Sequence, residues 1–213
     1  VVDHLDQDVA ALVLGRQGQP PGRRLAGGKA RRMGGEDKGL IALNGRPLLD
    51  YIIAGLESRV GAILVNANRN LERYREFGYP VVEDVVTGFS GPLAGMATGM
   101  QAAGTPLLLT MPCDSPFVPA DLGERLLRVM HETGAGICVA HDGERLQPVH
   151  ALLNCRLLPD LLAYLNDGGR KIDTWYARHR TARADFSDMR DMFLNLNTPA
   201  DRQLLEERLA ATG

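Results

Sequence analysis

Residues 25–39 read "LAGGKARRMGGEDKG", and the purpose of such a stretch decides how the chain around it must fold. Glycine lets backbone N–H groups come close to a bound anion, and a helix N-terminus that follows adds the positive end of its dipole. Arg31, Arg32 and Lys38 bring fixed positive charge to the same place. The chemistry is that of a nucleoside triphosphate loop, or else of a solvated basic loop; composition alone leaves both open. Two familiar phosphate-binding patterns do not match. G-x-x-x-x-G-K-[ST] fails because Lys29 is followed by Ala30 and the spacing from Gly22 is off by one, and no G-x-G-x-x-G occurs in the loop.

A phosphate loop hangs from a buried strand, and working outward the chain supplies strands and helices in alternation. Apolar or β-branched runs predict strands at "VAALVL" (9–14), "AILVNA" (62–67), "PVVED" (80–84), "PLLLTMP" (106–112), "AGICVA" (135–140), "QPVHALL" (147–153) and "FLNLN" (193–197). Several are apolar almost throughout, as strands covered on both faces of a parallel sheet are. Helices are predicted over 48–58, where Leu48, Ile52 and Leu56 share one face, and over 93–103, 121–132 and 198–211, the last with Thr198 as N-cap and Pro199 at the first helical position. Strand then helix, repeated, predicts an α/β three-layer sandwich with a mostly parallel central sheet and ligands at the carboxyl ends of its strands. No repeat or long linker divides residues 1–213, so one domain is expected, with residues 1–8 as a flexible tail.

The bulk properties narrow the function. Of the 213 residues 45% are hydrophobic, enough for a sizeable core, and the formal net charge of −2 speaks against a general nucleic-acid or membrane-surface binder. No apolar run reaches the roughly 18 residues of a membrane span. The opening "VVDHLDQD" has neither the basic start nor the apolar stretch of an export signal. Cys113, Cys138 and Cys155 are far apart, without C-x-x-C spacing, which points to free thiols in a reducing cytoplasm. His141 and His150 lack a second ligand at helical or hairpin spacing, and Cys113 has no neighbour in sequence fit to be its base.

Read as a whole, residues 25–39 resemble, nearly residue for residue, the signature loop of the molybdenum cofactor guanylyltransferases. Enzymes of that family join GMP from GTP to molybdopterin and release pyrophosphate, and they share the loop with related nucleotidyltransferases of Rossmann-like, GT-A-like fold. The resemblance continues in order through "VNANR" (65–69), "EDVVTGFSGPLAGM" (83–96), "MPCDSPFVP" (111–119), "HDGERLQPVHAL" (141–152) and "FLNLNTPAD" (193–201). It implies that Leu25, Ala26, Gly27 and Gly28 line the nucleotide, that Lys38 and Arg32 contact its phosphates, and that Asn66 and Asp84 recognise guanine and ribose. Gly91 and Gly95 would let the chain pass close to the nucleotide. Asp114 would hold Mg²⁺, which suits a carboxylate at the end of an apolar strand, although Asp-Ser-Pro is also a common turn. Asn195 and Asn197, alternate positions of a predicted strand, would face the pterin; the alternative is that they close that strand before Thr198. The basic stretch "RHRTAR" (178–183) is either solvated or a contact for the pterin phosphate. The partners implied are GTP, molybdenum-molybdopterin, and transiently the proteins that supply the pterin and accept the finished cofactor.

The chain departs from the family at one place. There the first strand runs directly into L-A-G-G, whereas here "GRQGQPPGRR" (15–24) intervenes; without residues 15–25 the join would read "VAALVLAGGKARRMGG". The stretch reads as an inserted surface loop, a kind that costs little closure entropy. Three rival readings follow: a molybdopterin cytidylyltransferase, a sugar-phosphate nucleotidyltransferase, and a non-catalytic molybdopterin carrier in which the insertion abolishes GTP binding. Gly27-Gly28 and "GPLAG" (91–95) favour guanine over cytosine.

Overall fold

The computed structural model describes residues 9–14, 37–86 and 91–212. In chain order the elements are β1 (Val9–Leu14), the hairpin strands β2 (Ala42–Leu43) and β3 (Arg46–Pro47), α1 (Leu48–Leu56), β4 (Ala62–Asn66), α2 (Leu71–Arg75) and β5 (Val81–Val82). There follow α3 (Pro92–Ala102), β6 (Leu107–Pro112), α4 (Leu122–Thr133), β7 (Ile137–His141), β8 (Leu146–Asn154), α5 (Leu158–Asn166), α6 (Ile172–Tyr176), β9 (Thr181–Asp185) and α7 (Pro199–Thr212).

Seven strands form one sheet in the order β5-β4-β1-β6-β8-β7-β9. Every neighbouring pair is parallel except those made by β8, which runs against β6 and β7. Along β1 and β6 successive side chains alternate between the two faces. Val9, Ala11 and Val13, with Leu109 and Met111, face a core shared with Leu49, Ile52 and Leu56 of α1 and Leu122, Leu126 and Met130 of α4. Leu12, Leu108, Ile137 and Val139 face the opposite core, with Met96 and Met100 of α3, Leu161 of α5 and Trp175 of α6. Both sets are buried, so the strands read as continuous apolar runs and the architecture is the expected α/β sandwich with a mostly parallel sheet. Gly99 brings α3 against the sheet: a Cβ there would lie 2.5 Å from Leu12 Cδ2 and 2.9 Å from Leu108 Cδ2.

A third, smaller cluster holds Ile41, Leu43, Leu48, Leu196 and Leu205 and docks the hairpin and the start of α1 against α7. Arg202 Nη2 donates to the Ala42 carbonyl at 2.9 Å, and Asn44 Nδ2 to the Glu206 carbonyl at 3.0 Å. The C-terminal helix is thereby tied to the segment that begins at Asp37.

One expected strand is absent. Residues 193–197 end a 3-10 segment (Ser187–Phe193) and continue as irregular chain. Phe193 packs in the core beneath the sheet, while Leu194 and Leu196 both pack in the hairpin cluster. Because no strand forms there, Asn195 and Asn197 do not share a strand face. Edge strand β5 is shorter than the predicted 80–84. "RHRTAR" overlaps β9, an edge strand whose residues alternate between buried and outward positions. Residues 1–8 and the insertion at 15–24 lie outside the described residues.

Candidate active site

The carboxyl ends of β4, β1 and β6 come level with one another, since Asn66 pairs in register with Leu14 and Leu14 with Pro112. Two polar clusters grow from the outer two of these strand ends, separated by two strand spacings, about 10 Å.

The first cluster follows β6. Lys38, only 4% exposed, points its ammonium between Asp114 Oδ2 and Asn197 Oδ1, each 2.6 Å away. Lys38 opens a short 3-10 turn (Lys38–Leu40) whose continuation is the buried hairpin, so its backbone is fixed by the packing of Ile41 and Leu43. Asp114 follows directly from the strand end. Its carbonyl accepts from Leu196 N at 3.0 Å, and the hydroxyl of the next residue, Ser115, donates to Asn195 Oδ1. Segment 195–197 is thus laid along segment 114–115. Asn195 and Asn197 meet two different partners here, one a serine and the other the lysine.

The second cluster follows β4 and β5. Asn66 is fully buried and spends both Nδ2 hydrogens, on the Val82 carbonyl (3.1 Å) and on Asp84 Oδ1 (3.0 Å). Asn68 Nδ2 donates to Asp84 Oδ2 at 2.8 Å and its Oδ1 accepts from Asp84 N at 2.8 Å. The carboxylate of Asp84 is therefore set in one orientation by two amides. Beside it, Asp37, 5% exposed, pairs with Arg69 and accepts from Asn70 Nδ2 at 2.7 Å. This ties Asp37, near the end of the family-like loop, to the chain just beyond β4. Asn68, Arg69 and Asn70 were not singled out from the sequence; their signal was that "NANRN" is polar where a strand end meets a loop.

Gly91 stands at φ 140° immediately before α3, a conformation that side chains other than glycine's rarely adopt, and Gly95 is buried within the helix. Leu25, Ala26, Gly27, Gly28 and Arg32 lie outside the described residues. Burial pushes the Cys138 thiol up to about 12 and that of Cys155 to about 11, and none of the three cysteines is in a disulfide. His141 Nδ1 accepts from Gly143 N at 3.0 Å. Among the described residues no three His, Cys, Asp or Glu side chains gather as a metal site would require. Asp114 suits a magnesium ion of the other kind, held by one or two carboxylates and completed by substrate phosphates and water.

A lysine and a carboxylate at the end of one parallel strand, a carboxylate oriented by amides at the end of another, and a mostly parallel sheet together define a nucleotide-handling α/β protein. A solved structure titled molybdopterin-guanine dinucleotide biosynthesis protein A, from Archaeoglobus fulgidus, shares this fold with a TM-score of 0.72 at 20% identity, over 95% of this chain and 98% of its own. The model of the MobA-like NTP transferase domain matches residues 25–182. Molybdenum cofactor guanylyltransferases from Shewanella sediminis and Shewanella loihica are 50% and 48% identical over 186 residues, 87% of this chain and 95% of each relative. The chain belongs to the MobA-like nucleotidyltransferase family, on the molybdenum cofactor guanylyltransferase branch.

Proposed function

We propose that the chain transfers GMP from GTP to molybdenum-molybdopterin, releasing pyrophosphate, with the triphosphate seated at the carboxyl ends of β1 and β6. The observation that carries this is the buried Lys38 ammonium, aimed by Asp114 and Asn197 at the strand edge where the family-like loop arrives. An ammonium has three donors. Two are taken by those acceptors, which leaves one for a phosphate oxygen.

The nucleophile is the terminal phosphate of the pterin, whose second ionisation near pH 6 leaves it charged at neutral pH. No residue need remove a proton from it, in keeping with the high thiol pKa values and the engaged His141. One pterin phosphate oxygen forms a bond to the α-phosphorus, the bond from that phosphorus to its bridging oxygen breaks, and pyrophosphate leaves with the electron pair. What the protein supplies is position and charge. Lys38 neutralises triphosphate oxygens, and Leu25, Ala26, Gly27, Gly28 and Arg32 form the rest of the phosphate grip. Asp114 would hold Mg²⁺, which when bound offsets phosphate charge and orients the leaving group. At the other cluster Asp84, with Asn66 and Asn68 behind it, accepts from the N1–H and N2–H donors of guanine, while Gly91 and Gly95 leave room for the nucleoside. The pterin approaches from the side of Asn195 and Asn197.

We read the chain as one cytoplasmic nucleotidyltransferase domain. It exchanges its pterin transiently with supplying and accepting proteins. The three cysteines, none of them in a disulfide, support that setting. No observation favours the cytidylyl, sugar-phosphate or carrier readings. Pyrophosphate release measured with molybdenum-molybdopterin and either GTP or CTP tests the proposal. GTP is expected to support turnover at least about tenfold better than CTP, the scale of one well-read base contact. Equal rates, or release with neither nucleotide, would refute it.

A further inference from the structure

Lys38 is the group on which the phosphate reading rests, so what holds its ammonium in place matters as much as its charge. Asp114 is one of the two acceptors, and a carboxylate that also serves a metal is a divided partner. The other, Asn197 Oδ1, is neutral and 2.6 Å away. Asn197 lies in irregular chain, yet its backbone is pinned from both sides. Before it, Leu196 is wholly buried in the hairpin cluster and its N–H donates to the Asp114 carbonyl at 3.0 Å. After it comes a reciprocal cap at the start of α7. Asp201 Oδ2 accepts from Asn197 N at 3.0 Å and from Thr198 N at 2.8 Å, while Thr198 Oγ1 accepts from Asp201 N at 3.1 Å.

We infer that Asn197 is the residue that aims Lys38 at the triphosphate, and that the capping box of α7 holds Asn197 in place to do so. The C-terminal helix, remote from the sheet core, thereby becomes part of the nucleotide site. Its own docking reinforces the link, because Arg202 and Glu206 bond to the hairpin that follows Lys38. One helix fixes both the lysine's backbone and the acceptor that orients its tip. Asn197 is thus a positioning residue for the nucleotide even where it also borders the pterin.

This inference depends on Lys38 contacting phosphate, so the test separates the two. The dissociation constant of GTP with Mg²⁺, without pterin, is measured for the native chain, Asn197→Ala, Lys38→Ala and the double variant. Asn197→Ala is expected to weaken GTP about tenfold, as the loss of a hydrogen bond to a charged group does. In the Lys38→Ala background the same change should cost less than about twofold, since the group it aims is gone. Asp201→Ala should reproduce part of the loss, about threefold. If Asn197→Ala weakens GTP equally in both backgrounds, or not at all while Lys38→Ala weakens it, the positioning role is overturned. If Lys38→Ala itself leaves GTP affinity unchanged, the phosphate reading fails instead. Unaltered affinity in Asp201→Ala would remove the capping box from the chain of contacts.

Discussion

Asp114 carries two burdens that substitution can separate. It is the counter-ion of a lysine that is 4% exposed, and it is the carboxylate proposed to hold Mg²⁺. Removing one member of a buried pair leaves the other charge uncompensated, at a cost of about 3 kcal/mol or more, reduced here because Asp114 keeps some contact with water. Asp114→Ala should therefore lower both the melting temperature and turnover, the latter about a hundredfold or more. Asp114→Asn keeps an acceptor for Lys38 but not the charge. It is expected to melt between the native chain and Asp114→Ala while losing turnover to the same degree, and near-native turnover in that variant would remove Asp114 from catalysis. Asp84 is different, being oriented by Asn66 and Asn68 at another strand end from the Lys38–Asp114 pair. Asp84→Ala should raise KM for GTP about tenfold and change kcat by less than about threefold, because a base contact is made alike in ground and transition states. A fall in kcat at unchanged KM would contradict that role. At this scale the site was partly legible. A lysine and an aspartate each marked by a motif were readable one by one, but nothing in linear spacing announced that residues 38, 114 and 197 would share a single ammonium.

Elements built from long apolar runs were legible because burial on both faces leaves no polar residues to confuse the pattern. β1 and β6 match their predicted spans closely, and the helix after Thr198 carries the cap expected of it. Short and edge elements were not. In "TARAD" (181–185) Ala182 and Ala184 face the core from an edge strand whose other side chains are polar, and two alanines make a weak signal. "FLNLN" misled for the opposite reason, since Leu194 and Leu196 alternate into the hairpin cluster without forming a strand. β8 hides a further consequence. His150 lies on it, 3% exposed, edge-on to Phe193 at 5.1 Å, with Nε2 unpartnered among the described residues. Burial drives its imidazole down to about 3 from the ordinary 6.5. In the unfolded chain the ring takes a proton near pH 6.5, whereas the folded chain refuses it until about pH 3. Stability should thus fall as pH drops through that window, by up to roughly 1.4 kcal/mol per pH unit. Urea melts between about pH 7 and pH 4 should show this slope in the native chain and a shallower one in His150→Leu. Parallel slopes would mean that His150 accepts its proton in the folded state.

At the scale of the whole molecule, the sheet order decides what can meet. β1 lies between β4 and β6, so its carboxyl end has the amide-held carboxylate of Asp84 to one side and the lysine–aspartate pair to the other. A nucleotide lying across the end of β1 would touch both. The three layers were inferable from strand–helix alternation, yet the docking of α7 onto the hairpin was not, because long-range contacts leave no local periodicity. The most direct measurement is a crystal structure of the chain with a non-hydrolysable GTP analogue and Mg²⁺. The account predicts a phosphate oxygen within hydrogen-bond distance of Lys38 Nζ, the metal on Asp114, and the guanine edge against Asp84. A nucleotide bound elsewhere on the molecule, with Lys38 and Asp114 still closed on one another and touching neither phosphate nor metal, would contradict it.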